Sequence, residues 1–281
     1  AAITWWNPVS GESLRQEMVG TPQKWVSSWP PIGPGTYLFT SGDQTHLVGS
    51  VCSKRPLEND NNQYPFSSAW SWDGSHLADP THVWDAGTGK LLSQLQDPAQ
   101  QHTPDQVAWS PDGKRLASAD SLNMQPPVIW DAQTGKVLFT LQVETGELKP
   151  LWLGLAWSPD GKKLAAVGAL MHPDSGADEG MILIWDVETG KQEQLLTTGM
   201  NDYRLWTVAW SPDGRFLAVG STGSDIFLWD MTTSQPLAKL GGHTDISDQL
   251  AWSPAGNRLA SVARDGTLQI WDLSAFTSGT E

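Results

Sequence analysis

The stretch Trp109-Ser110-Pro111-Asp112-Gly113 recurs unchanged at Trp157 to Gly161 and at Trp210 to Gly214. Close variants are WSWDG from Trp70 and WSPAG from Trp252, and a distant one is WPPIG from Trp29. From each Trp to the next the steps are 41, 39, 48, 53 and 42 residues. A period of about 40 to 50 residues marks either a propeller blade or a helical array. Ser-Pro-Asp-Gly is turn chemistry, because Pro presets φ, Asp bonds locally and Gly accepts positive φ. Proline at this spacing would also interrupt repeated long helices.

A second marker follows each of five pentapeptides: Trp84-Asp85, Trp130-Asp131, Trp185-Asp186, Trp229-Asp230 and Trp271-Asp272. Four of these lead into turn-like segments, AGTGK, AQTGK, VETGK and MTTSQ. Between the markers the chain reads as strands. In RLASVARDGTLQIWD (Arg258 to Asp272) an apolar run meets Asp-Gly and then alternates through Leu268 and Ile270 into Trp271, a strong hairpin signal. Each unit is therefore four short strands, a to d. The pentapeptide closes strand a, Trp-Asp closes strand c, and the Thr-Gly turn leads into strand d.

These residues resemble the WD-repeat family over nearly the whole chain, which implies an all-β propeller of four-stranded antiparallel blades. The Trp-headed WSPDG, sparse Lys and frequent Gln are similar to bacterial members. The resemblance also implies a hydrogen-bonded set of Gly-His, a strand-b Ser or Thr, a turn Asp and the strand-c Trp. The last repeat supplies all of it in Gly242-His243, Ser261, Asp265 and Trp271. That makes His243, Ser261 and Asp265 structural rather than a hydrolase triad. Elsewhere the set is degraded: Val219 stands where Ser261 stands, and no His precedes that blade. Such blades rely on apolar packing, which suits 17 Trp, each able to bury about 150 to 250 Å².

Counting repeats predicts one propeller domain over residues 1–281, with seven blades favoured, the first incomplete, and six as the alternative. ITWWNPVSGESLRQEMV (Ile3 to Val19) resembles strand c, turn and strand d, with Trp6-Asn7 in place of Trp-Asp. The blade containing Trp84 has a short b–c hairpin within SHLADPTHVWD.

Bulk properties narrow the function. The formal charge of −14 and pI near 4.7 oppose the phosphate neutralisation that drives nucleic-acid binding. No apolar stretch approaches the roughly 20 residues of a membrane span, so a soluble chain is expected. The low charged fraction of 17%, with abundant Gly, Pro, Ser and Thr, leans towards an extracytoplasmic or secreted domain. The single Cys52 has no thiol partner and reads as a small buried side chain. Nothing provides a phosphate loop, zinc spacing or nucleophile elbow. No cofactor, metal or catalytic residue is expected.

In the implied architecture the d–a and b–c loops open on one face, the top. Three expanded segments fall there: Val143 to Pro150, Leu170 to Met181 and Thr197 to Arg204. Loops on a rigid scaffold commonly carry function. Trp25 and Trp206 lie four residues before their pentapeptide Trp, a place that in the family often faces partners. Trp152 lies five before, and Tyr203 and Arg204 adjoin Trp206. Trp, Tyr and Arg are enriched at interface hot spots, and Arg264, before the turn Asp265, joins them. His172 lies in the acidic insertion MHPDSGADEGM, which lacks ordered calcium-ligand spacing. The expected partner-binding set is Trp25, Trp152, His172, Tyr203, Arg204, Trp206 and Arg264.

The resulting expectation is a non-catalytic scaffold or sensing propeller that binds a protein partner, with attachment to a larger signalling protein or assembly compatible with it. The alternatives are a small-ligand or glycan-binding propeller and a structural subunit of an assembly.

Overall fold

The computed structural model describes residues 68–96, 104–172, 178–201 and 203–277, together with the backbone of five N-terminal strands. Of these, β1 (Ala2–Trp6) pairs antiparallel with β2 (Ser13–Met18). Next, β3 (Tyr37–Ser41), β4 (Gln44–Val48) and β5 (Lys54–Pro56) form a three-stranded meander.

Five blades follow. The first contains β6 (Ala69–Trp70), β7 (His76–Ala78), β8 (His82–Asp85) and β9 (Leu91–Gln94). The second contains β10 (Gln106–Trp109), β11 (Arg115–Asp120), β12 (Gln125–Asp131) and β13 (Val137–Thr140). The third contains β14 (Lys149–Trp157), β15 (Lys163–Met171), β16 (Asp178–Asp186) and β17 (Gln192–Asn201). The fourth contains β18 (Leu205–Trp210), β19 (Phe216–Ser221), β20 (Ile226–Asp230) and β21 (Gln235–Leu240). The fifth has three strands, β22 (Ser247–Trp252), β23 (Arg258–Ala263) and β24 (Leu268–Asp272), and ends in the short helix α1 (Ser274–Thr277).

The blade architecture is as the repeats imply, but the count of seven or six is corrected to five among the described residues. Among the described residues the N-terminal strands form a pair and a triple. In sequence, WPPIG at Trp29 to Gly33, which lies outside the described residues, lacks both the Ser and the Asp found in the a–b turns of later repeats.

That lock is a local circuit. Ser110 Oγ donates to Asp112 Oδ1 at 2.6 Å and accepts from the Arg115 N–H at 2.9 Å. Ser158 and Ser211 repeat it with Asp160 and Asp213, at 2.6 and 2.5 Å. Gly113 sits at φ 68°, the left-handed region that a side chain disfavours. Where Ala255 replaces Asp, Ser253 Oγ donates to Asn257 Oδ1 at 3.1 Å instead. The Trp-Asp turn is closed similarly, with Asp131 Oδ1 accepting from the N–H and hydroxyl of Thr134 at 2.7 Å each.

Between turns, alternating strand side chains pack blade against blade. Ala165, Val167, Ile182 and Ile184 of the third blade are fully buried with Leu205, Leu217 and Val219 of the fourth. The pentapeptide indoles from Trp109 onward add a directional tie, each donating to a strand-a carbonyl of the preceding blade. Trp109 reaches Ala69 at 3.0 Å, while Trp210 and Trp252 reach Ala156 and Ala209 at 3.1 Å. Among the described residues nothing covers the corresponding face of the last blade, where Leu268 and Ile270 are 63% and 59% exposed.

Candidate interaction surface

The third blade stands taller than its neighbours. Parts of two of its expanded segments are strand: Leu170 pairs with Glu179, Met171 with Asp178, and Glu179 with Asn201. Two of the three expansions therefore raise a rigid wall beside the start of the fourth blade.

Cation-bearing contacts cross that wall. Arg204 Nε donates to Asp178 Oδ2 at 2.6 Å, joining the entry of the fourth blade to strand c of the third. Tyr203 packs on Gly223; a Cβ there would lie 2.0 Å from the Tyr203 Cε1. Within the fourth blade Lys239 pairs with Asp225 at 2.9 Å, and that hydrogen bond raises the Lys239 pKa. Further round, the Arg264 guanidinium lies 4.8 Å from the ring centroid of half-buried Trp206, a cation–π distance. Arg264 Nε also donates to Asp248 Oδ1 at 3.0 Å. Thus Tyr203, Arg204, Trp206 and Arg264 share one face over the third, fourth and fifth blades. His172, half-exposed, stands 3.9 Å from Glu179 at the edge of this group.

Two other expected residues do not join it. Trp25 lies outside the described residues. Trp152 is corrected: it is fully buried, packed in the third-blade core with its ring 5.9 Å from that of Trp185. The reason is strand periodicity, since a one-residue shift reverses the face a side chain points to. Position five before the pentapeptide Trp points inward in three successive blades, with Trp152, Leu205 and Ser247 all 0% exposed. Position four before, occupied by Trp206, is the more open one.

The last blade brings His243, Ser261, Asp265 and Trp271 together. His243 Nδ1 lies 3.0 Å from Asp265 Oδ2, and its Nε2 lies 2.7 Å from Ser261 Oγ. Trp271 Nε1 donates to the same Ser261 oxygen at 2.9 Å. The Thr267 hydroxyl and the Thr244 N–H also donate to Asp265, and with His243 they hold its carboxyl far below the usual range. Thr244 and Thr267 went unread in the sequence, though each adjoins a key residue, one after His243 and one two after Asp265. The His243 side chain is wholly buried within this circuit.

Blades without the set find other solutions. Trp130 donates to Ser118 Oγ at 2.8 Å, and Trp185 to the Gln142 carbonyl at 2.5 Å. Trp229, beside Val219, keeps a buried indole N–H without a partner. Among the described residues no group of three or more His, Cys, Asp or Glu could hold a metal, and no helix is long and apolar enough to cross a membrane. A groove of about 370 Å³ between the a–b turns of the third and fourth blades, lined by Asp160, Lys163 and Asp213, lies on the opposite face.

Comparison with known proteins agrees with this architecture. Residues 192–230 and 234–272 match the WD domain, G-beta repeat family model, each match running from strand d of one blade through strand c of the next. The chain is 35% identical over 71 residues to Cell division cycle 20.1, cofactor of APC complex, of Arabidopsis thaliana. That alignment covers 25% of this chain and 16% of that protein. It is 28% identical over 88 residues to the Protein LST8 homolog of Drosophila melanogaster, covering 27% of this chain and 28% of that protein. Among solved structures, Kuenenia stuttgartiensis Hydrazine Synthase superposes with a TM-score of 0.75 at 14% identity, over 96% of this chain and 89% of that one. At that identity the likeness concerns the fold alone. The chain thus carries WD repeats, and the repeat matches together with the relatives support a WD-repeat β-propeller.

Proposed function

We propose that residues 1–281 form one non-catalytic interaction propeller that grips a protein partner through the face carrying its d–a and b–c connections. The single observation that carries this reading is the stack of Arg264 on Trp206, flanked by the Arg204–Asp178 pair and Tyr203. Aromatic and Arg side chains clustered on a rigid support are the composition of binding hot spots. The named relatives support the same direction, since one is called a cofactor of the APC complex. The chain spans less than a third of either relative's length, so attachment to a larger signalling protein or assembly belongs to this proposal.

The test is a paired one. Arg204→Ala with Trp206→Ala removes capture of the proteins retained by the unaltered chain, while its melting temperature stays within a few degrees. Glu188→Lys, on the opposite face, leaves capture intact. Equal loss of folding and capture would make these residues core, and capture unaffected by the double substitution would move the interface elsewhere.

A further inference from the structure

The two faces of the propeller differ in charge. On the face of the d–a and b–c connections, the five b–c hairpins carry Asp79, Asp120, Asp178 with Glu179, Asp225 and Asp265. The d–a segments add Asp105, Glu147, Asp245 and Asp248. Only Lys149, Arg204, Lys239 and Arg264 oppose them among the described residues. On the opposite face the turn carboxylates have nearby Lys or Arg neighbours in sequence, as in Asp112-Gly-Lys114-Arg115 and Asp160-Gly-Lys162-Lys163. There the charges nearly balance. Among the described residues the acidity is therefore concentrated on one side, where it creates a directional field for an approaching cation.

A second observation is a cation of the chain itself held on this face. The notch between Trp206 and Asp248 already holds a guanidinium: that of Arg264, stacked on the indole at 4.8 Å and donating to the carboxylate at 3.0 Å. Neither partner is sealed, since the Arg264 and Asp248 side chains are 45% and 39% exposed. Arg204 on Asp178 and Lys239 on Asp225 repeat the carboxylate half of that arrangement. Glu147 and Asp245, in contrast, are exposed, and no Lys or Arg among the described residues pairs with them.

We propose that this face docks a Lys- and Arg-rich segment of a partner protein, attracted by the surplus carboxylates and anchored around Trp206. The inference rests on the interaction reading above and specifies the chemistry of the partner. It also accounts for a binding face on a chain whose charge of −14 repels nucleic acid.

The experiment measures fluorescence anisotropy of three labelled peptides of equal length: alternating Lys-Arg and Ser-Gly pairs, the Glu-Asp counterpart, and Ser-Gly alone. The basic peptide binds the full chain, and its affinity falls as salt is raised, as expected for screened attraction. Glu147→Lys and Asp245→Lys together weaken it by about tenfold or more, the scale of a lost steering field. Glu188→Lys with Glu193→Lys, on the opposite face, changes it less than about twofold, within the range of weakly contributing surface charges. Equal weakening by both sets would overturn the face assignment. Preferential binding of the acidic or neutral peptide, lost on Trp206→Ala, would overturn the basic partner while leaving an interaction face. Absence of binding by all three would count against both readings.

Discussion

The indole N–H of Trp157 donates to the backbone carbonyl of Ala108 over 3.1 Å, from one blade into the innermost strand of the blade before it. The bond joins residues 49 apart in sequence, so it orients whole repeats rather than a turn. Trp157→Phe keeps much of the apolar contact but leaves the carbonyl without this donor, at a cost of about 1–3 kcal/mol. Trp229→Phe makes a similar change in volume at an indole N–H that has no partner, and costs less. Urea denaturation of the two variants measures the difference; equal losses would mean that ring volume, not the inter-blade bond, sets the stability.

In the last blade one oxygen serves two donors or partners, because Ser261 Oγ meets both His243 Nε2 and Trp271 Nε1. Ser261→Val copies the fourth blade, where Val219 occupies that place. There the indole alone is left unsatisfied, whereas in the fifth blade a buried His would be stranded as well. A loss of about 1–3 kcal/mol is expected, read as a lower midpoint in chemical denaturation. A neutral result would show the circuit to be dispensable.

Gly168 faces the bulge between Trp152 and Gly154. A Cβ at this glycine would lie 1.7 Å from the Leu151 carbonyl oxygen, and backbone cannot yield as a flexible side chain can. Gly168→Ala therefore destabilises by about 3 kcal/mol or more, the upper range of overpacking. Gly113→Ala has open space around its Cβ and meets only the φ penalty, of about 1–2 kcal/mol. Thermal melts of both variants should rank them in that order.

Acid should weaken the fold through its turns. The Ser71 hydroxyl lowers the Asp73 pKa to about 2, and Thr hydroxyls lower those of Asp85, Asp131, Asp186 and Asp230. A carboxyl whose folded pKa is depressed stabilises above its unfolded value and loses that contribution as pH falls through the folded one. Melting temperature should hold steady from neutral pH to about 5 and fall below about 4, as these groups protonate. A decline starting near pH 6 would instead implicate histidine.

Turn chemistry explains why so much of the blade was legible. Ser, Pro, Asp and Gly act on neighbours within five residues, so WSPDG announces its hairpin wherever it occurs, and the Trp-Asp turn does likewise. The His243 circuit was readable for a related reason, because each member keeps a fixed offset from a turn. A further signal went unused: every pentapeptide from Trp70 onward is preceded by Ala, the residue whose carbonyl receives the next blade's indole at Ala69, Ala108, Ala156 and Ala209.

By itself, then, the sequence determined the repeat, the strand-and-turn unit and the propeller class, all of which follow from local backbone preference and period. Tertiary structure alone decided how many blades form, because completing a blade depends on strands finding partners far along the chain. It also decided which tryptophan is available to a partner. Trp152 and Trp206 look alike in sequence, yet one residue of register sends the first into the core and leaves the second at the surface under Arg264. Two of the expanded segments of the third blade were likewise ambiguous until cross-strand pairing extended its strands through part of each. Register and neighbour cover are properties of contacts between distant residues, and local propensity does not encode them.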